Sequence, residues 1–266
     1  MSERVALITG GSNGIGEAVV TALAARGGWH IVVADIDEAA GTAVAERVGG
    51  LFVRTDVADP EASLAVVAAA EQTYGRLDFA HLNAGIAASE GPVDTIDLAT
   101  YRRVTAINLD GVFFGLQAVV PALRRAGGGS IVATASLAGL VPTPATPVYS
   151  LTKHAVVGLV RSVAESLKDE NIRVSAVAPG FAQTAIIAPM QAAFDSSGFP
   201  LLTAAEVAAV VLEAMDGPPG SVWPIQPGRD AEPYRFRGVP GPRVQGKEGL
   251  APPREGASDP TGGATA

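Results

Sequence analysis

The chain has 266 residues, 48% hydrophobic and 17% charged, which is material for one large α/β domain with a sizeable core and excludes disorder of the whole chain. A formal net charge of -8 argues against a nucleic-acid surface, and zero cysteines remove disulfides, thiolate metal sites and cysteine nucleophiles together. No apolar run approaches the roughly 20 residues a bilayer requires, and the N-terminus has no signal region, so a soluble cytoplasmic protein with no membrane or nucleic-acid partner is expected.

In chain order, an apolar run at 5–9 enters the turn Thr9-Gly10-Gly11-Ser12-Asn13-Gly14-Ile15-Gly16 and then a helix-like stretch at 14–26. Glycines suit a turn where backbone approaches a ligand closely. The helix that follows offers free N–H groups and the positive end of its dipole, which suits a pyrophosphate. Gly10, Ser12, Asn13, Gly14, Ile15 and Gly16 are therefore candidate cofactor contacts, on a Gly-x-x-x-Gly-x-Gly spacing.

The second strand, 30–34, leads into Asp35, with Ile36 beside it. A carboxylate there can accept both ribose hydroxyls of an adenosine and would repel a 2′-phosphate. Positions 11–13 and 35–38 carry no cation, which points to NAD as the cofactor. The other reading of Asp35 is a cap for the second helix.

A helix at 38–48, a strand at 51–54 and a helix at 60–74 come next, the last with Asp59 as its N-cap and Pro60 in its first turn. Then follow a strand at 77–82, a long helix at 99–126, a strand at 130–135, a helix at 148–169, a strand at 173–177, a helix at 203–215 and a last strand at 221–225. The strands are mostly β-branched and nearly continuous, as expected for strands covered on both faces. The alternation implies an α/β fold, a Rossmann-type doubly wound parallel sheet of about seven strands with helices on both faces. From Gly217 onward Pro and Gly recur, and beyond Gly238 hydrophobic periodicity is lost. One catalytic domain at 1–237 and a flexible Pro/Gly-rich tail at 238–266 are expected.

The chemistry sits late in the chain. Tyr149 and Lys153 are four residues apart in one helix-like stretch, so they share a face. Ser136 lies just past the fifth strand, at the sheet edge where α/β crevices form. Oxidising an alcohol needs a base for the hydroxyl proton while hydride leaves for a nicotinamide ring. Tyrosine, with a pKa of about 10, is a poor base near neutrality. An ammonium some 4 Å away would be worth on the order of 4 kcal/mol at an effective dielectric near 20, comparable to about three pKa units. Ser136 can hold the substrate oxygen.

Taken together, Thr9-Gly10-x-x-x-Gly14-x-Gly16, Asp56-Val57, Asn83-Ala84-Gly85, Asn108, Ser136-x-x-Gly139, Tyr149-x-x-x-Lys153 and Pro179-Gly180-x-x-x-Thr184 resemble the short-chain dehydrogenase/reductase family over about residues 4–225. The resemblance implies Tyr149 as general acid/base, with Lys153 lowering its pKa and binding the nicotinamide ribose, and Ser136 orienting the substrate oxygen. Asn108 would hold a water that relays protons from Lys153, or else be a buried asparagine at a helix kink. Asp56 would contact the adenine amino group and Val57 its ring. Asn83, with Ala84 and Gly85, would lie against the adenosine side, or Asn83 would be a satisfied turn residue. Thr184 would bind the carboxamide, and Pro179-Gly180 would wall the ring. The family often has a second Asn where this chain has Leu82, and the usual Asp-Gly-Gly ending is missing after Ile225. A homo-oligomer is implied, a dimer being as well supported as a tetramer.

The substrate loop should lie between Thr184 and Thr203, where Ile186, Ile187, Met190, Phe194, Phe199 and Leu201 suggest either an apolar secondary alcohol or a lid closed over the core. Arg229, Arg235, Arg237 and Arg243, with Trp223, Tyr234 and Phe236, read as a solvated edge, and no metal site is supported because His81 and His154 are isolated. The leading reading is an NAD-dependent secondary-alcohol dehydrogenase with a small-molecule substrate. The alternatives are an NADP-dependent ketoreductase of thioester or carrier-bound 3-oxo substrates and a non-catalytic nucleotide sensor.

Overall fold

A computed structural model describes residues 3–88 and 90–238. Seven strands, β1 (Arg4–Thr9), β2 (Trp29–Asp35), β3 (Leu51–Arg54), β4 (Phe79–Leu82), β5 (Gly129–Thr134), β6 (Ile172–Pro179) and β7 (Val222–Ile225), form one sheet. Its order is β3-β2-β1-β4-β5-β6-β7, with every neighbouring pair parallel. The continuous apolar runs follow from this burial: β4 is buried along its whole length, and β1 and β5 at every residue but the first. Edge strand β3 has no buried residue.

Helices α1 (Gly14–Arg26), α2 (Glu38–Val48), α3 (Pro60–Tyr74), α4 (Leu98–Thr105), α5 (Gly111–Ala126), α6 (Pro147–Ser166), α7 (Gln191–Ser197) and α8 (Ala204–Asp216) complete the layers. Val19, Val20 and Leu23 of α1 and Val207, Val211 and Met215 of α8 share a core cluster with Ile8, Val33 and Val177 of the sheet. Leu116, Val119 and Leu123 of α5 and Val156 and Val160 of α6 are buried as well. Asp59 caps α3, accepting from the Glu61 N–H at 3.0 Å, as the sequence implies.

The expected helix at 99–126 runs from Leu98 to Ala126 with a change of pitch in its middle. Residues Ala106–Asp110 form a π turn between α4 and α5, with Asn108 fully buried inside it. The hydrophobic pattern runs through an inserted residue without losing its face, so periodicity alone does not show the change. The run Leu98–Ala126 has the length and apolar composition of a bilayer-crossing helix, yet Val104, Val112, Val119 and Leu123 are buried against the rest of the protein, as in a core helix. Leu82 fills the space left by Gly115 of α5, where an added Cβ would stand 2.7 Å from the Leu82 Cδ2. That contact gives leucine a packing role at the position where the family it resembles often has an asparagine.

Register fixes where chemistry can gather. Thr9 pairs with Ala34, Leu82 with Ala133 and Thr134 with Val177, so the carboxyl ends of β1, β4, β5 and β6 lie along one edge. The chain winds outward from β1 to β3, then returns to β4 on the other side of β1. The crevice at such a reversal is where α/β sheets bind ligands. Residues up to Tyr234 form one compact unit, and Arg235 onward falls in a second, of which 235–238 are described. The rest of the 238–266 tail lies outside the described residues.

Candidate active site

The turn after β1 is shaped by missing side chains. Gly10 and Gly14 have φ of 62° and 53°, values that L residues rarely adopt. A Cβ on Gly16 would stand 2.0 Å from the Gly10 carbonyl oxygen. Asn13 occupies the N-cap of α1 but makes no side-chain cap bond to it, which leaves first-turn N–H groups for a phosphate. The turn is tied to β4 from below. The Thr9 hydroxyl accepts from the Asn83 N–H at 2.8 Å and the Ala84 N–H at 3.2 Å, and donates to the His81 carbonyl at 3.3 Å. The Asn83 amide donates to the Thr9 and Gly10 carbonyls at 3.2 and 3.3 Å, and its oxygen accepts from the Thr134 hydroxyl at 3.0 Å. Asn83 is therefore fixed at the floor of the turn. Its side chain is spent on the protein.

Asp35 sits at the end of β2, where the Ser12 hydroxyl donates to it at 2.6 Å and the Ser12 N–H at 3.0 Å. The Asp37 N–H donates to its other oxygen at 3.0 Å. The helix-cap reading of Asp35 fails, because Asp37 caps α2 by accepting from the Ala40 N–H. Ser12 thus orients the carboxylate, and Ile36 beside it is exposed. The Asp56 carboxylate accepts from the Ala58 N–H at 3.0 Å, and Val57 packs against Gly111. The glycine turn, the uncapped helix start and the Asp35 carboxylate fit an adenine dinucleotide.

On the other side of β4, Ser136 lies two residues past β5 and caps a single 3₁₀ turn, Leu137–Gly139. Its hydroxyl accepts from the Ala138 N–H at 3.1 Å and lies near enough to the Tyr149 phenol to pull its pKa down. Tyr149 is the third residue of α6 and Lys153 lies one turn on. The two turns close on each other at Gly139, where a Cβ would stand 2.5 Å from the Lys153 carbonyl. The Lys153 ammonium donates to the Thr134 carbonyl at 2.7 Å and stands 5.6 Å from the Tyr149 ring centre. Burial lowers its pKa to about 8. Burial also raises the Tyr149 pKa, with the Ser136 hydroxyl pulling the other way.

Asn108 is both kink residue and clamp. Its oxygen accepts from the Ile86 N–H and its amide donates to the Ile86 carbonyl, both at 2.8 Å. The amide also reaches the Thr152 hydroxyl at 3.4 Å. A Cβ on Gly85 would lie 3.3 Å from the Asn108 oxygen and 3.5 Å from the Lys153 ammonium, so Gly85, Asn108 and Lys153 converge. Across the cleft, the Gly180 N–H donates to the Ile225 carbonyl at 2.9 Å, and the Ser136 hydroxyl reaches the Pro179 carbonyl at 3.5 Å. Thr184 faces Gly14 beside a cavity of ≈ 670 Å³ lined by Asn13, Gly14, Gln183, Thr184, Ala185, Ala188 and Gln191. A smaller cavity of ≈ 200 Å³, lined by Arg4, Asp78, Arg173 and others, contains none of these residues.

Three residues have parts that the sequence does not assign to them. His81 lies fully buried on β4, with its Nε2 2.9 Å from the Thr134 hydroxyl, and burial lowers its pKa to about 3. Thr134 donates to Asn83, so the His81 Nε2 carries the proton. Thr134 in turn joins this network to Lys153 through its carbonyl. Glu90 accepts from the Val148 and Tyr149 N–H groups. No motif spacing marks them. The loop expected to close over the site contains α7, and Phe181, Phe194 and Phe199 form a ring cluster with centres 4.8 to 5.9 Å apart.

The sequence profile of short chain dehydrogenases matches residues 4–194. The chain is 39% identical over 197 residues to cyclohexanol dehydrogenase from Acinetobacter sp. (strain SE19), covering 72% of this chain and 78% of that one. It is 38% identical over 205 residues to trans-4-hydroxycyclohexanecarboxylate dehydrogenase from Sinomonas cyclohexanicum, covering 73% and 78%. Among solved structures, that of levodione reductase superposes with a TM-score of 0.79 at 32% identity, covering 86% of this chain and 98% of that one.

Proposed function

The chain belongs to the short-chain dehydrogenase/reductase family, nicotinamide-dependent oxidoreductases acting on hydroxyl groups, and on that footing we propose an NAD-dependent dehydrogenase of apolar, six-membered alicyclic secondary alcohols. The carrying observation is one cleft edge that joins Ser136, Tyr149 and Lys153 to a glycine turn. The ring alcohols named in the two curated relatives support the substrate class. So does the cluster that Phe181 forms with Phe194 and Phe199 of the expected lid.

The bound nicotinamide supplies the hydride acceptor in oxidation and the donor in reduction. Ser136 orients the substrate oxygen by hydrogen bond. Tyr149 takes the hydroxyl proton in oxidation and returns one in reduction. Lys153, held by the Thr134 carbonyl, stabilises the phenolate and binds the ribose. Its pKa near 8 leaves it largely protonated at neutral pH. Asn108 sets the loop at Ile86 and lies beside Thr152, where a water can pass protons from Lys153 toward solvent. Asp35, preset by Ser12, accepts the adenosine ribose hydroxyls and disfavours a 2′-phosphate. Gly10, Asn13, Gly14, Ile15 and Gly16 cradle the pyrophosphate. Ile36, Asp56, Val57, Ala84 and Gly85 border the adenosine, and Pro179, Gly180 and Thr184 border the nicotinamide.

Leu98, Tyr101, Phe113 and Leu151 are exposed on α4, α5 and α6, which supports docking of a second copy there. The test of the activity is a panel of cyclohexanol, a linear secondary alcohol and a polyol, followed by nicotinamide absorbance with NAD. Fastest turnover of cyclohexanol is expected. Selective turnover of the polyol would count against the substrate class.

A further inference from the structure

Among the described residues only two acidic side chains are buried, Asp35 and Glu90. Asp35 has its place beside the glycine turn, whereas Glu90 serves neither the cofactor nor the proton transfer outlined above. Helix α6 opens poorly capped. Thr146 makes no side-chain cap bond, and Pro147 at its first position has no N–H to give. The next two N–H groups, of Val148 and Tyr149, donate to the two carboxylate oxygens of Glu90 at 2.6 and 2.8 Å. The cap therefore arrives from 58 residues earlier in the chain. It comes on the loop whose start, Asn83–Gly85, borders the glycine turn and whose Ile86 is clamped by Asn108.

We propose that Glu90 is a positioning residue for Tyr149: it fixes the first turn of α6 so that the phenol meets Ser136, and it sets a negative charge on the helix turn that carries that phenol. This rests on Tyr149 being the acid/base. The charge opposes the phenolate, so Glu90 favours the protonated form while Lys153, on the same helix, favours the ionised one. Other titratable groups are near. His154 bonds within α6 to Ser150, the π turn packed on α6 carries Asp110, and α4 carries Arg102 and Arg103. None of these has a hydrogen bond or ion pair to Tyr149 or Glu90 among the described residues.

The test is a pH titration of the full-length protein labelled with tyrosine carrying ¹³C at Cζ. The chain has four tyrosines, and Tyr149→Phe assigns the relevant signal. In Glu90→Gln the Tyr149 phenol should titrate about half a pH unit or more lower, from the loss of one unit charge on the same helix turn, screened at an effective dielectric of about 20–40. The other three tyrosines should keep their wild-type titration. In Glu90→Ala, cyclohexanol turnover per NADH-binding site should fall about ten- to a hundredfold, with Glu90→Gln in between and NADH affinity held. An unshifted Tyr149 in Glu90→Gln overturns the proposal, even if Glu90→Ala fails to fold. Loss of turnover only in proportion to loss of NADH binding overturns it as well. A wild type that oxidises none of the alcohols sinks the proposed activity and leaves the titration to decide on Glu90.

Discussion

The glycine turn after β1 and the first turn of α6 lie on the same edge of the sheet, yet they are held in different ways. At the first, shape comes from absent side chains: Gly16 has no Cβ where the Gly10 carbonyl passes, and the residues concerned lie within one short stretch. At the second, shape comes from side chains delivered across the fold. Thr134 of β5 holds Lys153, Ser136 meets Tyr149, and Glu90 supplies a cap that the helix lacks locally. In the proposed enzyme the first region binds through backbone geometry and the second works through ionisable groups whose energies burial has shifted. Damage to one should therefore be separable from damage to the other.

Removing the Tyr149 hydroxyl should have the largest effect. Tyr149→Phe is expected to lower kcat by about a thousandfold, within the usual range for loss of an acid/base, with NADH affinity measured by fluorescence unchanged. A parallel loss of NADH binding would merge the two regions.

Lys153→Met gives the next largest effect, read as stability against pH. The folded pKa of about 8 lies below the ordinary 10.5. Between those values the unfolded chain binds more protons than the folded one, so the Lys153 contribution grows as pH rises through that window. Wild type should gain about 3 kcal/mol over Lys153→Met from pH 8 to pH 10.5 in urea titrations. A flat difference would show that Lys153 is not held against its charge.

Gly16→Ala should act on the other region. Overpacking against the Gly10 carbonyl should cost about 1–3 kcal/mol of stability and weaken NADH binding measured by titration. The Tyr149 phenol signal should stay where it is. Smallest is Thr203→Ala, which removes the capping box with Glu206 at the start of α8, outside both regions. It should cost about 1 kcal/mol by thermal melting and leave kcat and KM unchanged.

The same contrast explains what the sequence discloses. The strands, the glycine spacing and the one-turn step from Tyr149 to Lys153 are local patterns, and the observed elements follow them closely. Asp37 rather than Asp35 as the cap of α2 is a choice between neighbours that only geometry settles. The π turn at Asn108 is hidden because an inserted residue leaves the apolar face continuous. Glu90 lies in a loop between Gly85 and Pro92 with no period to read, and its partners are 58 and 59 residues away. His81 reads as one more strand residue until its hydrogen bond to Thr134 is seen. Contacts that cross the fold between irregular segments leave no trace in spacing.

The most direct test of the account is the initial rate of cyclohexanol oxidation by the wild-type protein, with NAD and NADP supplied in parallel and the product identified. The account predicts cyclohexanone, and a kcat/KM for NAD exceeding that for NADP by about tenfold or more, the equivalent of some 1.4 kcal/mol of repulsion at the Asp35 carboxylate. Equal use of both cofactors, or preference for NADP, would contradict the role given to Asp35, and the absence of cyclohexanone with either would contradict the activity itself.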